Sequence, residues 1–465
     1  MRPSTAREDP LRTLARFASG VTLESLPTSV VEKARAVLLY GVGVGMASVD
    51  APGLAGTVAA LRAEYGSSSD AATCLIDGTR LAPGAAAFAN AVLFHARIQD
   101  DAHPAGHMGT IILPAALAMA EVRGATGAQL LEAIVSGYEV ALRIGRDHAR
   151  DLSERGFRTT PIYGALGAAA SCARLLGLDA DRTMSALSLT THGATGLRQF
   201  ADAGTDEYPY QAGFAARCGM TSALLAAHGI EGTDSALTGR AGLFRAYGHA
   251  EPDYASRVVE RLGEHYEIES VTYKPYPGGQ FHRGVIRGFA ELGRSVLKQG
   301  VDTARVHMHP FEAHYLGLAY KGPFSTYSQA FFSVPFCAAL AWLHGTVTFA
   351  GLHRFDDPAI LDFVARTDVV SDEACERYKP RIRLTLNDGR CVEWLDDAGE
   401  SGYDLDWNAA CAMVMSLCEE IASVSDRAES LIEAVRRIES MNTIDALVRT
   451  ARSFAPAGSA RAGAK

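Results

Sequence analysis

The chain has 465 residues, of which 48% are hydrophobic and 21% charged, and its formal net charge at pH 7 is -9. This composition is typical of a globular protein and unlike that of a disordered chain. The acidic balance, with no basic stripe along the chain, argues against nucleic-acid binding because phosphate backbones would be repelled. Since a single hydrophobic core stops growing at about 250–300 residues, two domains are expected.

The N-terminal residues and the cysteines predict the compartment. Residues 1–26 carry charges throughout and lack the apolar run of a signal peptide. No stretch of about 18 apolar residues occurs, so no membrane association is expected. The eight cysteines form no CxxC pair and lie mostly in apolar, helix-like surroundings. These features predict a reduced, cytoplasmic protein.

Helical periodicity dominates the chain up to about residue 265. Apolar residues recur at helical spacing in residues 11–39, and Pro83 opens an alanine-rich run as prolines do in a first helical turn. Small residues, which let helix axes approach closely, are common in further predicted helices at 114–122, 129–144, 164–176 and 212–227. Strand-like alternation is rare here, so the pattern predicts a tightly packed, all-helical core.

The pattern changes after Gly263. Residues 266–274 alternate and contain β-branched and aromatic residues, which predicts a strand. A predicted helix at 284–297 and a strand at 303–308 would complete a β-α-β unit. Residues 380–394 contain two alternating runs around Asn-Asp-Gly, the strongest hairpin signal in the chain.

We therefore predict a mostly α fold with two unequal domains. A large all-helical domain is formed by residues 1–265 and 406–454, and a smaller α+β lid domain is inserted at 266–405. Residues 455–465 are expected to form a flexible tail. Clefts between domains are favoured ligand sites, so the site is expected at their junction.

The densest polar cluster spans residues 95–107, directly after an apolar predicted helix, and contains His95, Asp100, Asp101, His103 and His107. One interpretation is a metal site, since His103 and His107 have an i,i+4 spacing, but an intervening proline disfavours the shared helical face that this requires. The other is a histidine acid or base positioned by an aspartate. The aspartates could also simply cap the next helix, expected near residue 110.

Two further segments carry candidate ligand-binding groups. Lys274 ends a predicted strand and is followed by a Pro/Gly-rich turn and His282; it could pair with a carboxylate or stabilise an enolate, or it could be an ordinary solvated lysine. A helix beginning near His282 could hold an anion at its N-terminus. Arg158 has the geometry to bind a carboxylate, and Thr159 and Thr160 could donate to a ligand or cap a helix, capping being favoured for Thr160. The sequence has no phosphate loop, dinucleotide fingerprint or GxSxG elbow.

Taken in order, these segments resemble the MmgE/PrpD family, which includes 2-methylcitrate dehydratase, cis-aconitate decarboxylase and iminodisuccinate epimerase. The resemblance covers about residues 10–450. It rests on Asn90 to His95 with Asp100, Asp101, His103 and His107, on PAALAMAE at 114–121, on GYEV at 137–140, on LLGL at 175–178, on TGRAGL at 238–243, and on KPYP at 274–277 with His282.

The resemblance implies a helical domain with an α/β lid, a homodimer, and catalysis without metal or organic cofactor. It also implies that His107 and Lys274 lie in the active site with Asp100 or Asp101 nearby. The full set of catalytic candidates is His107, Lys274, Asp100, Asp101 and His103. The candidates for binding the substrate are Arg158, Thr159, Tyr208, His282 and Gln99.

The residues at four positions differ from those of the decarboxylase pattern. Ile98 stands where that pattern has an acidic residue, Ala102 where it has threonine, Arg158 where it has histidine, and Tyr208 where it has lysine. A site with so many exchanged polar groups is expected to reject the same substrate, because buried polar groups left unpaired are costly. This counts against cis-aconitate decarboxylation and, less strongly, against 2-methylcitrate.

The resulting prediction is a cofactor-independent, dehydratase-like lyase that removes the α-proton of a small carboxylate. His107 or a partner would be the base, Lys274 and Arg158 would stabilise the developing charge, and Tyr208 or His103 would protonate the departing hydroxyl. An isomerase or epimerase would use the same proton abstraction. A non-catalytic member that binds a small acid and a metal-dependent hydrolase using the His/Asp loop are the remaining alternatives.

Overall fold

The computed structural model describes residues 9–65, 71–248, 254–296, 300–421 and 425–452. Helices dominate these residues and the strands form two small sheets, which confirms a mostly α fold. The predicted flexible tail at 455–465 lies outside the described residues. None of the helices in the described ranges is both long and apolar enough to cross a membrane.

The N-terminal half is a succession of helices, as the periodicity predicted. They are α1 (Pro10–Gly20), α2 (Thr28–Ala47), α3 (Leu54–Tyr65), α4 (Pro83–His95), α5 (Gly109–Arg123), α6 (Gly127–Glu154), α7 (Thr159–Leu175), α8 (Ala180–Thr190), α9 (Gln199–Ala203), α10 (Tyr208–Ala227), α11 (Leu243–Tyr247) and α12 (Tyr254–Val258). Helix α7 packs against α6 and α10, where small residues allow close approach. Two short strands, β1 (Ala72–Thr73) and β2 (Arg80–Leu81), pair antiparallel in this half. The region is therefore not wholly helical; two-residue strands leave no readable alternation.

The remaining elements include the second sheet and the C-terminal helices. They are α13 (His282–Ser295), β3 (Val301–Met308), α14 (Pro310–Ala313), α15 (Tyr327–Phe332), α16 (Val334–His344), α17 (Pro358–Ala365), β4 (Thr367–Ser371), β5 (Arg381–Leu386), β6 (Cys391–Leu395), α18 (Trp407–Glu420), α19 (Ser425–Arg436) and α20 (Asp445–Arg452). The sheet order is β4-β3-β5-β6, with β3 parallel to β4 and antiparallel to β5. The predicted β5–β6 hairpin is confirmed.

The prediction of a strand at residues 266–274 is wrong. Residues Glu267–Ser270 form a 3-10 helix, and Thr272 makes only isolated bridges to Ala102 and Asp404. The backbone N–H of Ile268 donates to the Glu139 carboxylate at 3.0 Å, and the 3-10 helix packs on α6. Because these tertiary contacts hold residues 267–270 in a 3-10 helix against α6, the segment does not join a sheet and the predicted β-α-β unit does not form.

Among the described residues, buried apolar side chains form two clusters. The first combines helices from both ends of the chain and includes Val271 and Leu405; the second surrounds the four-stranded sheet with α13 and α16. Ile98, Phe200 and Tyr208, which belong to the N-terminal half, pack into the second cluster. The segments around these three residues therefore lie where the two clusters meet.

Candidate active site

A cavity of about 290 Å³ lies between the two clusters. One wall comes from the loop after α4 and from α6, α7 and the start of α9. The opposite wall comes from the segment before α13 and, beyond it, from four aromatic residues and Arg377. The cavity is lined by side chains that include Ile98, His103, His107, Arg146, Arg150, Arg158, Thr159, Arg198, Phe200, Phe281, His282, Phe311, Tyr315, Phe332, Arg377 and Tyr378. The cavity therefore gathers segments that are far apart in sequence.

His107 lines the cavity and has a ring nitrogen that is available to a ligand. Its Nδ1 donates to the backbone carbonyl of Asp101 at 2.7 Å, and that contact leaves Nε2 unprotonated in the neutral ring. No hydrogen bond of Nε2 is recorded among the described residues. Burial, reinforced by the Lys274 cation, lowers the pKa of His107 to about 3. A neutral imidazole in a cavity can accept a proton.

Asp100 and Lys274 form a buried ion pair behind His107. Lys274 Nζ lies 3.2 Å from Asp100 Oδ2, and the same oxygen lies 3.5 Å from His107 Nδ1. Burial alone would raise the pKa of Asp100, but Lys274 and the two neighbouring histidines hold it well below its usual range. Burial lowers the pKa of Lys274 in spite of this pairing. Neither residue lines the cavity, so the pair acts on the site through His107.

His95 connects this pair to Arg158. Its Nδ1 donates to Asp100 Oδ1 at 2.9 Å, and its Nε2 accepts from Arg158 Nη2. Burial and then the Arg158 cation oppose protonation, and the pKa of His95 falls to about 4. Arg158 also donates to the Tyr208 carbonyl at 2.9 Å and lies over the Phe200 ring. His95 was within the cluster noted in the sequence, but only the structure reveals its role in orienting Arg158.

Asp101 faces away from the cavity and caps α5. Its carboxylate accepts from the Gly109 N–H at 3.0 Å and from the Tyr138 hydroxyl at 2.7 Å. Burial raises the pKa of Asp101 to about 7. The contacts are those of a helix cap, which is one of the two interpretations left open by the sequence.

His103 lines the cavity beside a second charged group. Its Nδ1 accepts from the Ala105 N–H at 3.1 Å, so the proton of the neutral ring is on Nε2, 3.7 Å from Glu267. Burial by itself would raise the pKa of Glu267. His103 and Arg146 stabilise the carboxylate more strongly, so the pKa falls to about 2. Nε2 of His103 is therefore an N–H donor at the cavity wall.

The predicted binding residues divide into two groups. Arg158, Thr159 and His282 line the cavity. His282 donates from Nε2 to the Phe332 carbonyl at 2.8 Å, and its buried Nδ1 has no partner among the described residues. Burial lowers the pKa of His282 to about 4. This nitrogen is therefore a buried acceptor that no described group satisfies.

The other predicted binding residues are buried outside the cavity lining. Tyr208 donates its hydroxyl to the Ala96 carbonyl at 2.7 Å, and burial raises its pKa well above the usual value. Gln99 donates to the Pro275 carbonyl at 3.1 Å. Thr160, for which capping was favoured, instead accepts from the His107 N–H in the first turn of α7, where no side-chain cap is present.

Sequence reasoning missed several arginines of the cavity. Arg146, Arg150, Arg198 and Arg377 line it together with Arg158. In the sequence, Arg146 and Arg150 stand among acidic residues, and the other two lie in different segments. No local pattern brings them together, because their convergence depends on how α6, α9 and the segment after β4 pack.

Comparison with known proteins covers most of the chain. The MmgE/PrpD N-terminal domain matches residues 12–255, and the MmgE/PrpD C-terminal domain matches residues 276–439. The chain belongs to the MmgE/PrpD family. The predicted resemblance is confirmed, and the 3-10 helix at Glu267–Ser270 lies between the two matched regions.

Three MmgE/PrpD relatives illustrate the similarity. A cis-aconitate decarboxylase-like protein of Aspergillus oryzae is 27% identical over 82% of this chain and 84% of its own length. Cis-aconitate decarboxylase of Aspergillus terreus is 26% identical over 84% of this chain and 85% of its own. The human cis-aconitate decarboxylase is 24% identical over 81% of each.

Proposed function

We propose that this protein is a lyase that acts on a small carboxylate by removing a proton next to the carboxyl or carbonyl group, in a dehydratase-like reaction. The observation that carries the proposal is the neutral His107 in the cavity, with Nδ1 engaged and Nε2 left to accept a proton. Membership in the MmgE/PrpD family and the lyase names of the relatives support the same class of activity.

In the proposed reaction His107 Nε2 takes the proton. The imidazolium that forms is stabilised by the Asp100 carboxylate, 3.5 Å from Nδ1. Lys274 keeps Asp100 ionised and keeps His107 neutral before the reaction. Lys274 is thus a positioning and electrostatic residue, in contrast to the direct contact with substrate expected from the sequence.

Arg158 is proposed to hold the substrate carboxylate. Its guanidinium is oriented by His95 and by the Tyr208 carbonyl, so little ordering entropy remains to be lost on binding. As negative charge builds up on the carboxylate oxygens after proton removal, this fixed cation stabilises it. His103, whose neutral ring has its N–H at the cavity wall, can donate a hydrogen bond to the departing hydroxyl, whereas the Tyr208 hydroxyl donates elsewhere. The proton that converts the departing hydroxide into water is the one that the His107 imidazolium has taken, so the ring returns to its neutral form.

A decarboxylase is a second candidate, because the relatives are named cis-aconitate decarboxylase or decarboxylase-like protein. Loss of CO₂ also creates charge next to a carboxylate, which Arg158 could stabilise. Cis-aconitate itself is disfavoured as the substrate, because the polar residues of the decarboxylase pattern are replaced at four positions. The residues that stand there are Ile98, Ala102, Arg158 and Tyr208. Epimerisation, acid binding without catalysis, and metal-dependent hydrolysis remain alternatives that the following experiment separates.

The proposal is tested by deuterium incorporation. Wild type and His107→Asn are incubated in D₂O with a panel of hydroxy-, imino- and unsaturated di- and tricarboxylates, and the products are followed by NMR. Asparagine keeps a donor near the Nδ1 position and lacks Nε2, so exchange at an α-carbon should fall by about 100-fold or more. His192→Asn, an exposed histidine outside the cavity, is the matched control.

The product spectrum distinguishes the alternatives. An unsaturated product identifies a hydro-lyase, a stereoisomer identifies an epimerase, and evolved CO₂ identifies a decarboxylase. Equal exchange by wild type and His107→Asn would contradict the role of His107. Activity lost on chelation and restored by a divalent ion would favour the hydrolase.

We further propose that residues 266–405 act as a lid domain and that the protein is a homodimer. An apolar face of α10 supports association, since Phe214, Leu224 and Leu225 are 56%, 36% and 42% exposed. Phe214→Asp should convert the dimer to a monomer in sedimentation velocity without unfolding it. A wild-type monomer at micromolar concentration would contradict the proposal.

A further inference from the structure

Tyr378 lines the cavity in a strained backbone conformation. Its φ is 62°, in the left-handed region that a bulky residue rarely adopts. The residue lies in the segment between β4 and β5, which no pattern in the sequence connected with the site. Strained residues of this kind persist only where the surrounding structure holds them, and they cluster at ligand sites. The proposed reaction assigns no role to Tyr378.

One buried carboxylate oxygen holds this conformation in place. Oε1 of Glu312 accepts from the Tyr378 backbone N–H at 2.8 Å and from Arg377 Nε at 3.2 Å. Glu312 is 0% exposed. The Tyr378 ring stacks on Phe281, which also lines the cavity, with the ring centres 5.7 Å apart. Backbone and ring are both fixed, so Tyr378 is held at the cavity wall before a ligand binds.

The Tyr378 hydroxyl has a proton to donate. Its oxygen accepts from Arg377 Nη2 at 3.1 Å, and no hydrogen bond from its O–H is recorded among the described residues. Burial and then the neighbouring Glu400 carboxylate raise the pKa of Tyr378 to about 12, so the phenol keeps this proton at neutral pH. Because Arg377 binds the oxygen, it polarises the O–H and makes the phenol a stronger donor.

The charges around Tyr378 are paired with each other. Arg377 Nε lies 3.2 Å from Glu312 Oε1, and Arg283 Nη2 lies 3.5 Å from Glu400 Oε1. These four side chains are the charged groups with the largest effect on the pKa of Tyr378. Two cations and two anions leave no net charge here. Since burying an anion without a partner is costly, this part of the wall favours a neutral oxygen over a carboxylate.

We propose that Tyr378 is a specificity-determining residue that donates its O–H to a hydroxyl oxygen of the substrate, and that Glu312 is its positioning residue. The reacting carboxylate stays with Arg158, as in the proposed reaction. This inference rests on the proposed function for the presence of a hydroxyl group on the substrate. Tyr378 then makes the site prefer a hydroxy acid over the same acid without its hydroxyl, because the second leaves the O–H unpaired.

Pairs of acids that differ in a single hydroxyl group test the inference by binding. The pairs are malate with succinate, 2-hydroxyglutarate with glutarate, and citrate with tricarballylate, and chiral acids are used as separate enantiomers. Each acid is titrated calorimetrically into a His107→Asn parent, in which bound acid is not consumed, and into the same protein with Tyr378→Phe. In the parent the best-fitting hydroxy acid should bind about tenfold more tightly than its partner, as one added hydrogen bond allows. Tyr378→Phe should remove this preference by weakening the hydroxy acid alone.

Tyr320→Phe is the matched control, because it removes the hydroxyl of a tyrosine that does not line the cavity. Two further variants test the positioning role of Glu312. Glu312→Gln, which retains an accepting oxygen, should keep part of the preference for the hydroxy acid, and Glu312→Leu should lose it. An unchanged preference in Glu312→Leu would overturn the positioning role.

A preference for the hydroxy acid that survives in Tyr378→Phe would overturn the inference. So would equal weakening of both acids, which indicates a structural role, or the lack of any preference in the parent. If the preference depends on Tyr378 but no carboxylate exchanges deuterium, the proposed reaction fails and the binding assignment stands.

Discussion

At the scale of single residues, burial and neighbouring charges determine which groups can exchange protons. Asp101 is buried and His107 is half-buried at the cavity wall, and the pKa of His107 falls to about 3 while that of Asp101 rises to about 7. Desolvation favours the neutral form of each group, so a base loses affinity for its proton and an acid gains it. The sequence predicted that both lie near the site, but their opposite protonation behaviour depends on the surrounding protein.

Asp101 gives a prediction about stability and pH. Its folded-state pKa of about 7 lies above the ordinary value of 3.8, so the unfolded chain loses this proton first as the pH rises. The contribution of Asp101 to the free energy of unfolding is therefore full below pH 4 and is lost as the pH approaches 7. In Asp101→Asn this contribution does not change with pH. The melting temperature of the variant minus that of wild type should therefore increase from pH 5 to pH 8.

The comparison at each pH cancels the contributions of the buried histidines, which titrate in both proteins. Asp179→Asn, an exposed aspartate that caps α8, is the control for a general effect of the exchange. A melting-temperature difference between Asp101→Asn and wild type that is constant across the pH range would show that Asp101 is ionised throughout.

At the scale of elements, close helix packing depends on particular glycines. A Cβ on Gly219 of α10 would lie 2.4 Å from the Ala165 carbonyl oxygen and 2.7 Å from the Ala169 nitrogen, both on α7. Because backbone atoms of a packed helix cannot move aside cheaply, the two helices would have to separate. The small-residue pattern predicted such contacts, although it did not identify the partner helices.

Two glycine-to-alanine variants test this packing. Gly219→Ala should lower the free energy of unfolding by about 1–3 kcal/mol through overpacking. Gly56→Ala on α3, where no atom lies within 4 Å of the added Cβ, should raise it by about 1 kcal/mol because alanine favours helix. Urea titration followed by circular dichroism measures both. Equal effects of the two changes would contradict the proposed contact between α7 and α10.

The loop after α4 shows strain that no periodicity predicts. Ile98 has φ 53°, a left-handed conformation that is rare for a β-branched residue. Its side chain is buried at the meeting of the two clusters and lines the cavity. Packing of this side chain offsets the backbone strain, which is a common arrangement at functional sites.

At the scale of the whole molecule, one tyrosine joins the two loops that carry the site. The Tyr40 hydroxyl on α2 contacts the Gln99 carbonyl and accepts from the Lys274 N–H at 3.2 Å. These loops are more than 170 residues apart in the chain. The hydroxyl thus fixes the backbone on both sides of the Asp100–Lys274 pair.

Tyr40→Phe should therefore affect both stability and activity. It leaves a buried carbonyl and a buried N–H with fewer partners, which costs about 1–3 kcal/mol of unfolding free energy. Deuterium exchange should also slow, since Lys274 and Asp100 lose a shared support. Tyr65→Phe, a more exposed tyrosine on α3, is the control. A stable variant with unchanged exchange would show that the link is dispensable.

The sequence by itself determined the helices, the β5–β6 hairpin, the family and the identity of the polar loop, because these depend on local periodicity, turn chemistry and ordered motifs. Only the tertiary structure decided that residues 266–274 are not a strand, that Gln99 and Tyr208 lie behind the cavity, and that Arg198 faces it. Those outcomes depend on which distant groups compete for each backbone N–H, each carboxylate and each patch of apolar surface. Such competition is a property of the packed chain and leaves no local pattern in the sequence.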